Sequence, residues 1–214
     1  MIALRGLSLP ILFCAAGILA CGGDSSMPAN APASAASADA GPPVDRWGTY
    51  RSKRFSLVLR LPGGASEWRV DDRSRAELVA IHTPTRSRLV AARWAEVELQ
   101  NRSTCETLAR RRGLLPPTTL RVVEESAAIR PDGDDVRIWV ALEPGPAESA
   151  PIRGHAMAVG ARARKCWAAH YVTEVASSKD DVELSTRLAL VREGTLAHVE
   201  VEGIEEIQRE GRGR

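Results

Sequence analysis

The stretch Asp135-Val136-Arg137-Ile138-Trp139-Val140-Ala141-Leu142 decides the fold. Val136, Ile138, Val140 and Leu142 fall on every second position, the period of a β-strand with one buried side. Pro131-Asp132-Gly133-Asp134 stands before it, a cluster of turn formers. Residues 120–129 read as another strand before that turn, so the spacing predicts an antiparallel hairpin of 120–129 with 135–142. A second pair follows at 154–162 and 166–175. On the last of these, Cys166, Ala168, His170 and Val172 face one way, and Trp167, Ala169 and Tyr171 the other.

Upstream, Leu57, Leu59 and Leu61 alternate with Val58 and Arg60, and Pro62-Gly63-Gly64 ends that strand. Residues 77–82 and 88–97 read as two more strands, joined by a turn at Thr83-Pro84-Thr85-Arg86. Ser103-Thr104-Cys105-Glu106 matches a capping box, with Ser103 as N-cap of a helix running to Arg112 and Gly113 as its stop. Cys105, Leu108 and Ala109 share one face at helical spacing, which points Cys105 to the core. Ser177 or Ser178 caps a second helix to Glu193, ended by Gly194, with Leu184, Leu188 and Val191 as its apolar stripe. Residues 196–201 read as a last strand. The order β-β-β-α-β-β-β-β-α-β with short links implies an α+β sandwich: a mainly antiparallel sheet of about seven strands with two packed helices.

The N-terminus has a different character. Arg5 precedes a mostly apolar run of roughly 13 residues, too short for the roughly 20 that span a bilayer, and this reads as a secretory signal over 1–20. The run ends in Ile18-Leu19-Ala20-Cys21, which resembles the bacterial lipobox, with Ile18 and Leu19 in place of the commoner Leu and small residue. The resemblance implies cleavage before Cys21 and acyl chains, such as palmitate, on Cys21. Two or three chains hold a protein stably where one does not. Gly22 after the cysteine implies outer rather than inner membrane.

Residues 21–44 hold the acylated cysteine and an Ala/Ser/Pro/Gly-rich stretch that cannot bury enough surface to offset its ordering entropy. We read it as a flexible tether. Residues 45–205 then form one globular α+β domain, and 206–214 a frayed tail. The formal net charge is only +2, and nothing in it suggests a nucleic-acid binder, which needs a concentrated basic face. Arg102 and Arg110-Arg111-Arg112 read as a solvated helix end, with contact to a polyanion or lipid headgroup as the alternative.

Of four cysteines, Cys14 leaves with the signal and Cys21 is acylated. Cys105 and Cys166 remain, an even pair in an oxidising compartment, and are expected to form a disulfide. The alternative is two separate buried thiols.

The segment Phe55-Ser56-Leu57 through Leu61-Pro62 to Trp68, followed by antiparallel strands, a cysteine-bearing helix and a late helix, resembles the Mog1/PsbP-like α/β/α sandwich over residues 50–202. That resemblance implies a partner-binding or accessory role and carries over no functional residue.

His82, His155, His170 and His198 have no metal-ligand spacing, and no metal or other cofactor is expected. His82, His170 and His198 are expected within strands, partly buried. Ser87 lies outside any nucleophile-elbow pattern. Pro131-Asp132-Gly133-Asp134-Asp135 resembles part of a calcium loop, without the later bidentate Glu, and reads as a turn. Trp94, Trp139 and Trp167 are either core or, if one sheet face is open, a binding surface. Two functions follow. The preferred one is a non-enzymatic envelope lipoprotein that contacts the bilayer through Cys21 and binds an envelope protein. The alternative is an envelope hydrolase or carbohydrate-acting enzyme, which requires a deep pocket of convergent polar groups.

Overall fold

The computed structural model describes residues 47–116, 119–143 and 150–202. The expected signal peptide, Cys21, the tether and the tail lie outside them.

The described residues form an α+β sandwich of ten strands, every pairing among them antiparallel. In order these are β1 (Trp47–Ser52), β2 (Leu57–Pro62), β3 (Arg69–Asp71), β4 (Leu78–His82), β5 (Ser87–Ala95), helix α1 (Arg102–Arg111), β6 (Arg121–Ile129), β7 (Asp135–Glu143), β8 (Ile152–Arg162), β9 (Lys165–Val175), helix α2 (Asp181–Gly194) and β10 (Glu200–Val201). Seven strands form one sheet in the order β3-β4-β5-β9-β8-β7-β6, and β1-β2-β10 form a second.

Two strands were not expected from the sequence. β1 and β3 lack an apolar alternation, and each lies at a sheet edge, where pairing with one neighbour suffices. The expected last strand shrinks to β10, because Leu196–His198 winds into a 3₁₀ turn that buries Leu196. His198 is thus exposed on that turn rather than held in a strand.

Each face of the larger sheet carries its own core. On one side Val136, Val140, Ala156, Ala158, Trp167, Ala169 and Tyr171 meet Leu184, Leu188 and Val191 of α2 and Leu57, Leu59 and Leu61 of β2. On the other, Trp139, Met157, Val159, Cys166 and Ala168 meet Cys105 and Ala109 of α1 and Leu114 and Leu115 beyond it. Small residues at the sheet centre admit bulky neighbours. Gly160 pairs in register with Trp167, and a Cβ there would collide with the indole.

The helix ends follow from local chemistry. The N-cap of α1 is Asn101, not Ser103: its side-chain oxygen accepts the Thr104 N–H at 2.9 Å. Glu106, released from the expected capping box, turns instead to Arg110 and Arg137. Gly113, at φ 70°, closes the helix. Its N–H donates to Arg110 O and that of Leu114 to Ala109 O, both at 3.0 Å, the hydrogen-bond pair of a Schellman ending. Ser177 and Asp180 form a reciprocal capping box on the 3₁₀ turn that leads into α2. Gly194 is the last residue of α2 rather than a cap beyond it, and Trp47 packs against its bare Cα.

Candidate functional site

Cys105 and Cys166 are bonded, with Cα atoms 5.4 Å apart, and staple α1 to β9. Neither cysteine is exposed, so no free thiolate is presented.

The three tryptophans do not share a surface. Trp139 and Trp167 are each 2% exposed, and they sit in cores on opposite faces of the sheet. Both faces are covered, one by α1 and one by α2 with the smaller sheet, and that buries them. Trp94 is half-buried under the Arg112 guanidinium, 5.0 Å from the ring centroid. The arginine cluster is largely engaged with this domain's own groups: Arg102 with Asp135 at 2.9 Å, Arg110 with Glu106 at 2.8 Å, Arg112 with Glu96 at 3.2 Å.

Ser87, only 1% exposed, belongs to a run of hydroxyls. Its Oγ lies 2.7 Å from Thr85 Oγ1 and 2.9 Å from both Tyr171 OH and Thr173 Oγ1. Thr85 Oγ1 in turn meets His82 Nδ1 at 2.7 Å. Burial raises the Tyr171 phenol above its ordinary range, against the hydrogen bonds of Ser87 and Thr173. Arg187 closes the run, donating to Thr85 O at 3.1 Å and Thr173 Oγ1 at 3.3 Å. An open cleft of about 320 Å³ lies outside it, between Thr85, Arg86, Glu174, Asp180, Glu183 and Arg187. The cleft's charges pair with one another or with Arg153: Arg187 with Glu183, Glu174 with Arg153 at 3.0 Å and with Arg86 at 3.8 Å. Ser87 is buried and does not line the cleft.

His155 and His170 stack at 5.3 Å, with His155 Nδ1 3.0 Å from His170 Nε2. Burial lowers both imidazoles, His170 to about 3, so one ring donates and its neighbour accepts in the neutral form. Asp134 is buried as well; burial raises its carboxyl, while its hydrogen bond from Trp167 Nε1 at 3.1 Å acts the other way. Among the described residues no group of three or more His, Cys, Asp or Glu could hold a metal ion. Nor is any described helix long and apolar enough to cross a membrane.

The open chemistry lies on the backbone of β6. Among the described residues this strand ends the large sheet and pairs only with β7, and all nine of its residues are exposed. Arg130 N–H donates to Asp134 O at 2.9 Å. By the alternation of an antiparallel ladder, Ala128 and Ser126 also bond to β7, and the N–H and C=O groups of Glu125, Ala127 and Ile129 point outward. A bulge between Val122 and Glu124 breaks the register at the other end.

The usual guards of an edge are missing from 125–129. There is no Lys and no Pro, and the opposite edge, β3, has only three residues. The carboxylates are drawn back onto their own chain. Glu125 takes two bonds from Arg137, at 2.9 and 2.7 Å, which hold its carboxyl below the usual range; Glu124 pairs with Arg192 of α2. Arg137 is itself fixed over the Trp139 ring at 4.8 Å and against Glu106 at 2.5 Å. Val122, Val123 and Ile129 are 47%, 48% and 77% exposed along the same strand. The sequence marked 120–129 as a strand but carried no sign that it was an edge, since strand order is set by tertiary pairing.

No known family model matches the sequence, and no curated protein does. A solved structure from Bacteroides thetaiotaomicron VPI-5482 is similar over 74% of this chain and 49% of its own, at 7% identity and a TM-score of 0.42. The chain thus spans about half the length of that structure.

Proposed function

We propose that this chain is a bacterial envelope lipoprotein, held in the bilayer by acyl chains on Cys21, whose globular domain is a non-enzymatic module that binds protein at its sheet edge. The lipobox-like ending Ile18-Leu19-Ala20-Cys21 supports the anchor, and Gly22 an outer-membrane address. The Cys105–Cys166 bond fits the oxidising space outside the cytoplasm. The element order that resembles the Mog1/PsbP-like sandwich points the same way, to an accessory role.

The observation that carries the binding role is β6, nine exposed residues with an unguarded outer ladder. Besides water, an extended peptide segment matches such a row of donors and acceptors along its length, and the ligand we propose is a β-strand that adds antiparallel to the edge. Two measurements in intact cells test the reading. Labelled palmitate enters the protein and is lost in Cys21→Ser. A photo-crosslinking amino acid at Ala127 forms a defined protein adduct. An unlabelled protein overturns the anchor, and the absence of any adduct at Ala127 overturns the binding edge.

A further inference from the structure

We infer that the strand added to β6 is β6 of a second copy of this chain, giving a two-fold dimer with one continuous sheet. The inference rests on the edge reading above and names its occupant.

An antiparallel pair of identical strands in one sheet has its two-fold axis perpendicular to that sheet, so facing residues keep the same side. The outward hydrogen-bonding residues, Glu125, Ala127 and Ile129, must also meet one another. Placing the axis at Ser126 satisfies both conditions. Glu125 then exchanges two hydrogen bonds with Ala127 of the other copy, and Ala127 with its Glu125. Glu124 faces Ala128, and Ile129 comes beside Val123. In this register no charge faces a like charge. An axis at Glu125 would set that carboxylate opposite itself, which disfavours it. An axis at Ala127 keeps the outward residues paired but sets Glu124 opposite Arg130, whose guanidinium is already taken by Val199 O and Leu196 O of its own chain. At the axis the two Ser126 residues form a non-hydrogen-bonded pair, the closer kind, with Cα atoms about 4.5 Å apart. A small side chain suits that spacing.

Three features of the protein fit a second copy. The carboxylates flanking the axis are already neutralised within each chain by Arg137 and Arg192, so no foreign cation is called for. The exposed Ile129 and Val123 come beside one another in this register, so each helps to cover the other. Every residue of β6 is exposed, so the strand is open along its whole length. Confinement of anchored copies to one surface raises their effective concentration, so a short interface is enough.

The test uses the full acylated chain in its membrane and Ser126→Cys with a mild oxidant. The expected product is a disulfide-linked dimer that reductant dissolves. Ala128→Cys, whose facing residue is Glu124, and Ser185→Cys, exposed on α2, crosslink far less. Ala127→Pro in the Ser126→Cys background removes two interchain hydrogen bonds at once by symmetry. It is expected to lower the dimer yield roughly tenfold or more. An intact Cys105–Cys166 bond and unchanged circular dichroism report that each variant folds. Self-pairing is overturned if folded Ser126→Cys and Ala127→Cys both give no dimer, or if Ala128→Cys and Ser185→Cys crosslink as well as Ser126→Cys; a dimer from Ala127→Cys alone overturns the Ser126 axis. A photo-adduct at Ala127 to a different protein also overturns it, while leaving the binding edge standing; no adduct of any kind removes both.

Discussion

Opening the Cys105–Cys166 bond is expected to shift the unfolding equilibrium by an amount that the loop length sets. The two residues are 61 apart in sequence. In the chain-entropy description a cross-link over that span restricts the unfolded ensemble by about 4 kcal/mol at 25 °C. With a urea dependence of about 2 kcal/mol per molar, the midpoint falls by about 2 M. The assay is urea unfolding of the oxidised protein, the reduced protein and the Ala variants. Because both sulfurs are inaccessible, reduction under native conditions is slow and the reduced protein must be prepared unfolded. Cys105→Ala and Cys166→Ala each break the same bond. The double variant should therefore lie close to either single one rather than at their sum. Hydrogen exchange should quicken first in α1, the element stapled to β9. An unchanged midpoint on reduction, or additive single variants, would refute the reasoning.

Four further outcomes are expected. Asn101→Ala costs about 1 kcal/mol in thermal or urea unfolding, while Ser103→Ala changes little; the reverse ranking would restore the cap expected from the sequence. Gly154→Ala places a Cβ 2.6 Å from Leu188 Cδ1 and 2.8 Å from Leu184 Cδ1, and overpacking costs about 1–3 kcal/mol; an unaltered melting temperature counts against tight packing of α2 there. Asp134→Ala strips the buried Trp167 N–H of its acceptor, costing about 1–3 kcal/mol, and Asp134→Asn, which keeps an acceptor, costs less by the same melts. The fourth concerns pH. Burial, with His155 and Arg88 adding to it, holds His170 near 3, well below its ordinary 6.5. Between those values the unfolded chain takes up a proton that the folded one refuses, so stability is full above pH 6.5 and falls as the pH drops. His170→Gln should flatten the stability–pH slope by up to about 1.4 kcal/mol per pH unit in that window, and an identical slope in the variant refutes the assignment.

Short-range chemistry carried most of the elements. The alternation in 57–61, 135–142 and 166–175, the turn at 131–134 and the stripe Leu184-Leu188-Val191 all depend on neighbours within a few residues. So does the parity that set Cys166 and Trp167 on opposite faces. One reading failed where competing partners were available. Glu106 satisfies the capping-box spacing, yet two arginines hold it more strongly than the backbone of Ser103 could, and Asn101 supplies the cap. Trp139 and Trp167 could have been surface or core, and the choice depended on whether layers covered both faces.

The sequence by itself determined the class of the fold, its two helices and the cysteine pair that could meet. Periodicity, turn formers and compartment chemistry are local properties, readable one segment at a time. The tertiary structure alone decided that 121–129 ends the sheet, that β1 and β3 exist, and that Ser87 is buried while β6 is open. The physical reason is that a strand's pattern records which of its faces meets apolar neighbours, whereas its order in the sheet depends on backbone hydrogen bonds, which every residue but proline can make alike.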